Sequence, residues 1–99
     1  MNARRSTRVP IRIYVEVHGT GMSCDGETIV VNMHGTLVRT SIPLEVGSVI
    51  TIHVHLTGKS AGGRVVFAVP ERPLEFGIAF DDPQNIWGIP LPPADWRDA

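Results

Sequence analysis

Short segments in which apolar and polar side chains alternate restrict the fold of this chain more than any other feature. In the clearest one, residues 50–56, four aliphatic residues are separated by one threonine and two histidines. A period of two places successive side chains on opposite faces of a β-strand. No stretch carries an apolar stripe at the 3.6-residue period of a helix over a useful length. The sequence therefore predicts an all-β fold.

Six strands are predicted, and residues that favour turns separate each from the next. They span residues 11–17, 28–31, 36–40, 50–56, 65–69 and 74–80. Residues 22–26 are interpreted as a polar connection between the first two. The predicted buried faces carry Ile11, Ile13, Val15, Val17, Ile50, Ile52, Val54, Leu56, Val65, Phe67, Val69, Leu74, Phe76, Ile78 and Phe80. Six short strands joined by Gly/Pro turns favour a closed antiparallel barrel, because closure removes exposed strand edges.

The 99 residues are expected to form a single domain. Its predicted parts are a basic arm at 1–9, the barrel at 10–82 and a tail at 83–99. Four prolines exclude a long helix from the tail. Its two tryptophans, Trp87 and Trp96, are too apolar for a free end. We therefore expect the tail to lie extended over one end of the barrel.

Positive charge is concentrated at the beginning of the chain. Four of the nine Lys and Arg residues lie in the first twelve positions, which contain no Asp or Glu, although the formal net charge is -1. The overall balance argues against a broad DNA- or RNA-binding face, which needs basic residues spread over a surface. No apolar run approaches the about 20 residues of a spanning helix, and no signal peptide is visible. We expect a soluble cytoplasmic protein with no membrane partner.

Neither an active site nor a metal site is predicted. The serines lack a nucleophile-elbow context, and no glycine-rich phosphate loop opens a helix. The single Cys24 has no neighbouring histidine to activate it. His53 and His55 share one face of a predicted strand, but no further metal ligand lies at a fixed spacing from them. A small barrel with its polar groups mostly in loops is expected to be a binding module.

Three motifs, in order along the chain, resemble the PilZ domain family. Residues 4–8, with arginine at both ends, match the family's RxxxR motif. Residues 30–35 stand where the family has a [D/N]xSxxG motif, and they keep its glycine. Residues 76–80 resemble the final strand, with its glycine, hydrophobic residue and phenylalanine. The resemblance covers about residues 4–82.

The resemblance implies a six-stranded antiparallel PilZ-like barrel that binds cyclic di-GMP, a bacterial second messenger, and that signals to an as yet unidentified protein partner. The arm is expected to be flexible and to order on the ligand. Arginine suits this role because its planar fork can pair with guanine O6/N7 and with phosphate. The ligand-binding residues implied are Arg4, Arg5, Arg8, Asn32, His34 and Gly35.

The second motif departs from the family pattern, and the departure leaves an alternative open. Val30 occupies the Asp/Asn position and offers no hydrogen bond to a guanine edge, while Asn32 occupies the Ser position. The chain could instead be a degenerate PilZ-like module that binds protein and no nucleotide. An oligonucleotide-binding barrel would need outward aromatic residues on several strands, and only Tyr14 is at such a position.

Overall fold

A computed structural model describes residues 6–98, with side chains for residues 6–96. Its seven strands form one antiparallel sheet, which confirms the all-β class. The elements are β1 (Val9–Pro10), β2 (Tyr14–Gly19), β3 (Met22–Asn32), β4 (Gly35–Thr40), β5 (Val49–Val54), β6 (Ser60–Ala68), β7 (Glu75–Phe80) and a 3-10 helix, η1 (Ala94–Asp98). Among the described residues no helix is long and apolar enough to cross a membrane.

Six of the strands close into the predicted barrel. In sheet order β3, β2, β5, β6, β7 and β4 follow one another, and the pairing of β4 with β3 completes the ring. The short β1 lies outside this ring and pairs with the second half of β3, with Val9 opposite Val31. Because β2 pairs only with the first half of β3, β1 continues the same edge of that long strand.

The connection predicted at residues 22–26 is wrong, because these residues form the first half of β3. They pair with β2 in a hairpin whose register runs from Gly19 opposite Met22 to Tyr14 opposite Glu27. A strand needs only one apolar face when the other faces water. The polar residues of this segment lie on the water-facing side, while Cys24 packs partly against the core. Their polarity therefore indicated exposure and not a loop.

Alternate residues of the strands fill the barrel, as their period of two predicts. Ile52, Val17 and Val65 are fully buried at its centre. Leu56 and Ile11 were also predicted to face inward, and both predictions are wrong, since they are 83% and 37% exposed. Leu56 lies in the turn after β5, and Ile11 lies in the break between β1 and β2, so neither continues a pleated strand.

A β-bulge reverses the faces of β6. The register with β7 shifts between Val65 and Phe67, which leaves Val66 and Phe67 both about half exposed. A bulge adds one residue to its strand, so the side chains beyond it change face. The prediction that Phe67 points inward is therefore wrong. Its ring lies outside the barrel over Gly77, close enough that a Cβ on that glycine would collide with it.

An ion-pair ladder stabilises the outside of β4 and β7. Arg39 Nη2 donates to Glu75 Oε2 at 2.8 Å, and Arg72 lies 3.5 Å from the same oxygen. The hydrogen bond from Arg39 lowers the pKa of the Glu75 carboxyl. Glu75 is 5% exposed, which is unusual for a carboxylate unless it is paired.

Both tryptophans of the tail are buried. Trp87 stacks on Phe80 with ring centroids 5.7 Å apart, and its indole nitrogen donates to the Asn32 carbonyl at 3.0 Å. Trp96 is 2% exposed within η1. The tail, which the sequence predicts to lie extended, contains this short 3-10 helix, and the helix places Trp96 against the arm.

Candidate functional site

A cleft of about 260 Å³ lies on the outer surface of the barrel across β3, β4, β6 and β7. It brings together four of the six residues predicted to bind ligand, namely Arg8, Asn32, His34 and Gly35. The other two, Arg4 and Arg5, lie outside the described residues. The rest of the lining is mostly apolar: Val30, Val31, Thr36, Leu37, Val66, Phe67, Val69, Gly77, Ile78 and Ala79.

The tight turn between β3 and β4 forms one end of this cleft. Asn32 Oδ1 accepts a hydrogen bond from the His34 amide at 2.8 Å, which closes the turn in the manner of an Asx-turn. Gly35 follows with φ 153°. A Cβ there would collide with the Ile78 carbonyl oxygen of β7. Glycine is therefore required at this position by the close approach of two backbones, whether or not a ligand is bound.

The same asparagine also holds the arm against the barrel. Asn32 Nδ2 donates to the Ser6 carbonyl at 3.2 Å, and the Met33 amide donates to Ser6 Oγ at 3.2 Å. Ser6 is only 3% exposed as a result. The longer side chain at the motif's serine position thus reaches the backbone of the arm, two residues before Arg8.

The tail holds the next residue of the arm. The Thr7 amide and hydroxyl donate to the two carboxylate oxygens of Asp95, at 3.0 and 2.8 Å. Trp96 Nε1 donates to the Thr7 carbonyl at 2.7 Å. Both hydrogen bonds from Thr7 lower the pKa of Asp95, because they favour its ionised form. We call Thr7, Asp95 and Trp96 the arm–tail clamp.

Arg8 is consequently attached at both ends. The clamp fixes Thr7 before it, and β1 begins with Val9 directly after it. Its side chain is exposed and lines the cleft. The sequence predicts a flexible arm at residues 1–9, and its mobility stays a prediction. In the structure the backbone of residues 6–9 is bonded to the turn, the tail and β3. The rest of that prediction falls on residues 1–5, outside the described part.

The floor of the cleft is an apolar surface that the sequence did not reveal. Phe67 is paired with Gly77 across the strands, and its ring covers the glycine while it remains half exposed. An aromatic residue opposite a glycine is a recognised way to cover the gap in a sheet. The sequence contains both residues, but it does not show that they are paired. That pairing depends on the register of the bulged strand β6 with β7.

Chemically, the cleft offers a cation, backbone groups and an apolar floor within one concave surface. This combination suits a ligand with planar rings and negative charge, since the rings can lie on Phe67 while Arg8 pairs with an anionic or acceptor group. Val30 contributes only methyl groups to this surface, so the hydrogen-bonding capacity is concentrated at Arg8 and the turn.

Comparison with known proteins agrees with this arrangement. A family model described as PilZ domain matches residues 2–86 of the chain. The matched residues contain the barrel, the arm from residue 2 onward and every residue that lines the cleft. Among curated proteins and solved structures, none matches the chain significantly.

Proposed function

The chain belongs to the PilZ domain family, and from this premise we propose that it is a cyclic di-GMP-binding adaptor module rather than an enzyme. Domains of this family are generally adaptors that bind this nucleotide. The observation that carries the proposal is that Arg8 and the turn from Asn32 to Gly35 line one cleft, although more than twenty residues separate them in the sequence. Since cyclic di-GMP is a bacterial second messenger, the proposal places the protein in a bacterial cytoplasm.

Arg8 is the group we propose to grip the nucleotide. Its guanidinium can pair with guanine O6 and N7 or with a phosphate, in two parallel hydrogen bonds. Because Thr7 and Val9 fix its backbone, little backbone conformational entropy is lost when it binds. We propose that Arg4 and Arg5, which precede it in the motif, supply further positive charge.

The opposing wall is proposed to consist of the turn and the apolar floor. His34 is exposed, and Gly35, although buried, also lines the cleft. The half-exposed ring of Phe67 offers a stacking surface for a base, a contact worth about 1–3 kcal/mol in proteins that bind single strands. Asn32 acts indirectly, since both ends of its amide are already bonded to the protein.

A second function is favoured by one feature of the cleft. Val30 replaces the family's Asp or Asn, and the surface around it is largely apolar. An apolar groove suits a protein segment at least as well as a nucleotide. The alternative is therefore a PilZ module that binds an unidentified protein and no nucleotide.

Calorimetric titration with cyclic di-GMP, at one stated salt concentration, distinguishes the two functions. We expect binding that Arg8→Ala weakens by about 1–3 kcal/mol, the range for a bidentate guanine contact. Arg64→Ala is the matched control, because Arg64 is exposed, lies outside the cleft and donates to the Gly47 carbonyl. Cyclic di-AMP is the ligand control, since adenine lacks the O6 acceptor.

Absence of heat with cyclic di-GMP would reject the nucleotide function and favour the protein-binding one. Equal losses from Arg8→Ala and Arg64→Ala would show that the nucleotide responds to general positive charge and that the cleft is not its site. The salt concentration is held fixed because exposed arginine–phosphate attraction is screened by salt.

A further inference from the structure

We propose that a second site, on the outer face of β2, β3 and β5, binds a divalent transition-metal ion such as Zn²⁺. Its ligands are Glu16, Asp25 and His55, whose donor atoms all lie within 4.8 Å of one another. None of the three lines the cleft, so the inference does not rest on nucleotide binding.

Three neighbouring segments bring these side chains together. Glu16 on β2 and Asp25 on β3 are directly opposite in the antiparallel register. His55 follows β5, the other neighbour of β2, and its Nε2 lies 3.6 Å from Glu16 Oε2. The set therefore combines one imidazole nitrogen with two carboxylates, and both carboxylates are held by paired strands.

The charges around the two carboxylates support a cation at this place. Like charges directly opposite each other on neighbouring strands repel and destabilise the pair. In the described part of the chain, the only ion-pair partners of Glu16 are the imidazoles of His18 and His55, and Asp25 has none. By contrast, Glu27, two residues beyond Asp25 on the same strand, is paired with two arginines. A bound cation would neutralise the Glu16–Asp25 pair.

The donor types select the class of ion. Imidazole suits zinc, copper, nickel and iron, whereas Ca²⁺ and Mg²⁺ take oxygen ligands. Ligands about 2.1 Å from a tetrahedral zinc lie roughly 3.4 Å apart. Here one pair of donor atoms is already 3.6 Å apart, and all three lie within 4.8 Å of one another, so side-chain rotation would have to bring them closer. His18 Nε2, at 2.9 Å from Glu16 Oε1, is placed to orient that carboxylate.

The neighbouring His53 provides a strict control. It precedes His55 by two residues, and its ring centroid lies 6.0 Å from that of His55. Its Nδ1 is hydrogen-bonded to Ser60 Oγ at 2.7 Å, and it is not among the three clustered ligands. Substitution of His53 should therefore leave the site intact. The variant is a matched control because it, like His55→Gln, removes one histidine from this surface.

The test is a calorimetric titration of the untagged chain with Zn²⁺. We expect one ion per chain, with Asp25→Asn and His55→Gln each weakening its affinity at least about tenfold, because even indirect partners of metal ligands cost about 10–100-fold. His53→Gln and Cys24→Ser should bind as the wild type does. Thermal unfolding without metal shows that each variant is folded, and titration with Ca²⁺ should give no comparable binding.

Two results would overturn the site. One is no binding of Zn²⁺ by the wild type up to about 1 mM, a concentration that corresponds to about −4.1 kcal/mol. The other is a loss of affinity in His53→Gln or Cys24→Ser as large as that in His55→Gln, because the ion would then be held by scattered donors. If a ligand variant proves unfolded, Glu16→Gln takes its place under the same criteria.

Discussion

A single residue, Asn32, connects the three parts of the chain. Its carbonyl accepts from Trp87 of the tail, its Oδ1 from the His34 amide of the turn, and its Nδ2 donates to Ser6 of the arm. A serine at this position is too short to span both side-chain contacts. At this position, where the family motif has serine, asparagine therefore gives the turn a hydrogen bond to the arm.

Restoring the family motif at Val30 and at Asn32 should change the affinity for cyclic di-GMP in opposite directions. Val30→Asp places an acceptor in the cleft, so we expect cyclic di-GMP binding to strengthen by about 0.5–1.5 kcal/mol, the value of one hydrogen bond. Asn32→Ser removes the bond to Ser6, loosens the backbone before Arg8 and should weaken binding. Titration of both variants and of the double variant is the measurement, and the double variant should bind less tightly than Val30→Asp alone.

Val66→Asp is the control for this comparison, since Val66 lines the same cleft at a position outside the motif. It should not strengthen binding, because a carboxylate there only adds repulsion toward the phosphates. If Val66→Asp and Val30→Asp change the affinity alike, the motif position has no special contact with the nucleotide.

Glu75 should contribute to stability in a pH-dependent way. Its pKa is lowered below the ordinary 4.5, chiefly by the hydrogen bond from Arg39. A carboxyl with a depressed folded-state pKa stabilises fully above its unfolded value, and the contribution is lost as pH falls through the folded value. We expect Glu75→Gln to cost about 1–2 kcal/mol near neutral pH, a modest figure because Arg39 is half exposed to solvent.

Chemical denaturation of this variant at neutral pH and below pH 4.5 is the measurement. The difference from the wild type should shrink at the lower pH, because the wild-type carboxyl also becomes neutral. Glu45→Gln is the control, as Glu45 is exposed in a loop and, within the described residues, forms no ion pair. A pH-independent effect of Glu75→Gln would show that packing and not charge explains its cost.

Among the elements, β5 and β6 show when alternation of apolar and polar residues predicts which side chains face the core and when it does not. β5 keeps a regular pleat, so Ile50, Ile52 and Val54 all face inward. β6 carries a bulge after Val65, and its later residues face outward. Without that irregularity Phe67 would be in the core, and the cleft would have no aromatic floor.

The regular strand permits a direct test of the core. Ile52 is fully buried, so we expect Ile52→Ala to cost about 2–5 kcal/mol through lost burial and the cavity that remains. Thr51→Ala, one residue earlier on the water-facing side, should change stability by about 0.5 kcal/mol or less. Chemical denaturation of both variants decides the matter. Similar losses would contradict the assignment of faces in β5.

In the molecule as a whole, the two ends of the described chain meet. Thr7 and Asp95 are separated by 88 positions in the sequence, yet they share two hydrogen bonds. The clamp therefore couples the tail to the arginine proposed to bind the nucleotide. We therefore expect displacement of the tail to remove the bonds that hold Thr7, directly before Arg8.

The clamp should open in acid and in an Asp95→Ala variant. Asp95 has a pKa below its ordinary 3.8 because of Thr7, so the clamp should be intact above pH 3.8 and be lost as pH falls through the lowered value. The NMR shift of the Thr7 amide against pH measures this directly. In Asp95→Ala we expect that titration to vanish and exchange of the Thr7 amide to accelerate. Asp82→Ala, an exposed acid near the start of the tail, should leave both unchanged.

If the Thr7 amide titrates in Asp95→Ala as in the wild type, another acid is its partner and the clamp is not formed as described. Unchanged amide exchange in the variant would show that the bonds of Ser6 alone hold the arm. Either result would remove the coupling between tail and cleft.

Local sequence patterns determined the class of fold and the nature of one wall of the cleft. Alternation at the spacing of the pleat defines which residues can share a face, so most of the core of β2, β5 and β7 could be predicted. Gly35 could be identified from its position in the second motif and in a tight turn, whereas the approach of the β7 backbone that requires glycine there is seen only in the structure. The three motifs and their order indicated the PilZ family, which the family model confirms.

Only the tertiary structure decided the contacts that depend on strand register and on the meeting of distant segments. The bulge that turns Phe67 outward, the clamp between Thr7 and Asp95, and the cluster of Glu16, Asp25 and His55 all join residues from different strands or from the two ends. A one-residue change of register moves a side chain to the other face of a sheet. The register is fixed by closure of the whole barrel. It therefore cannot be predicted from local periodicity.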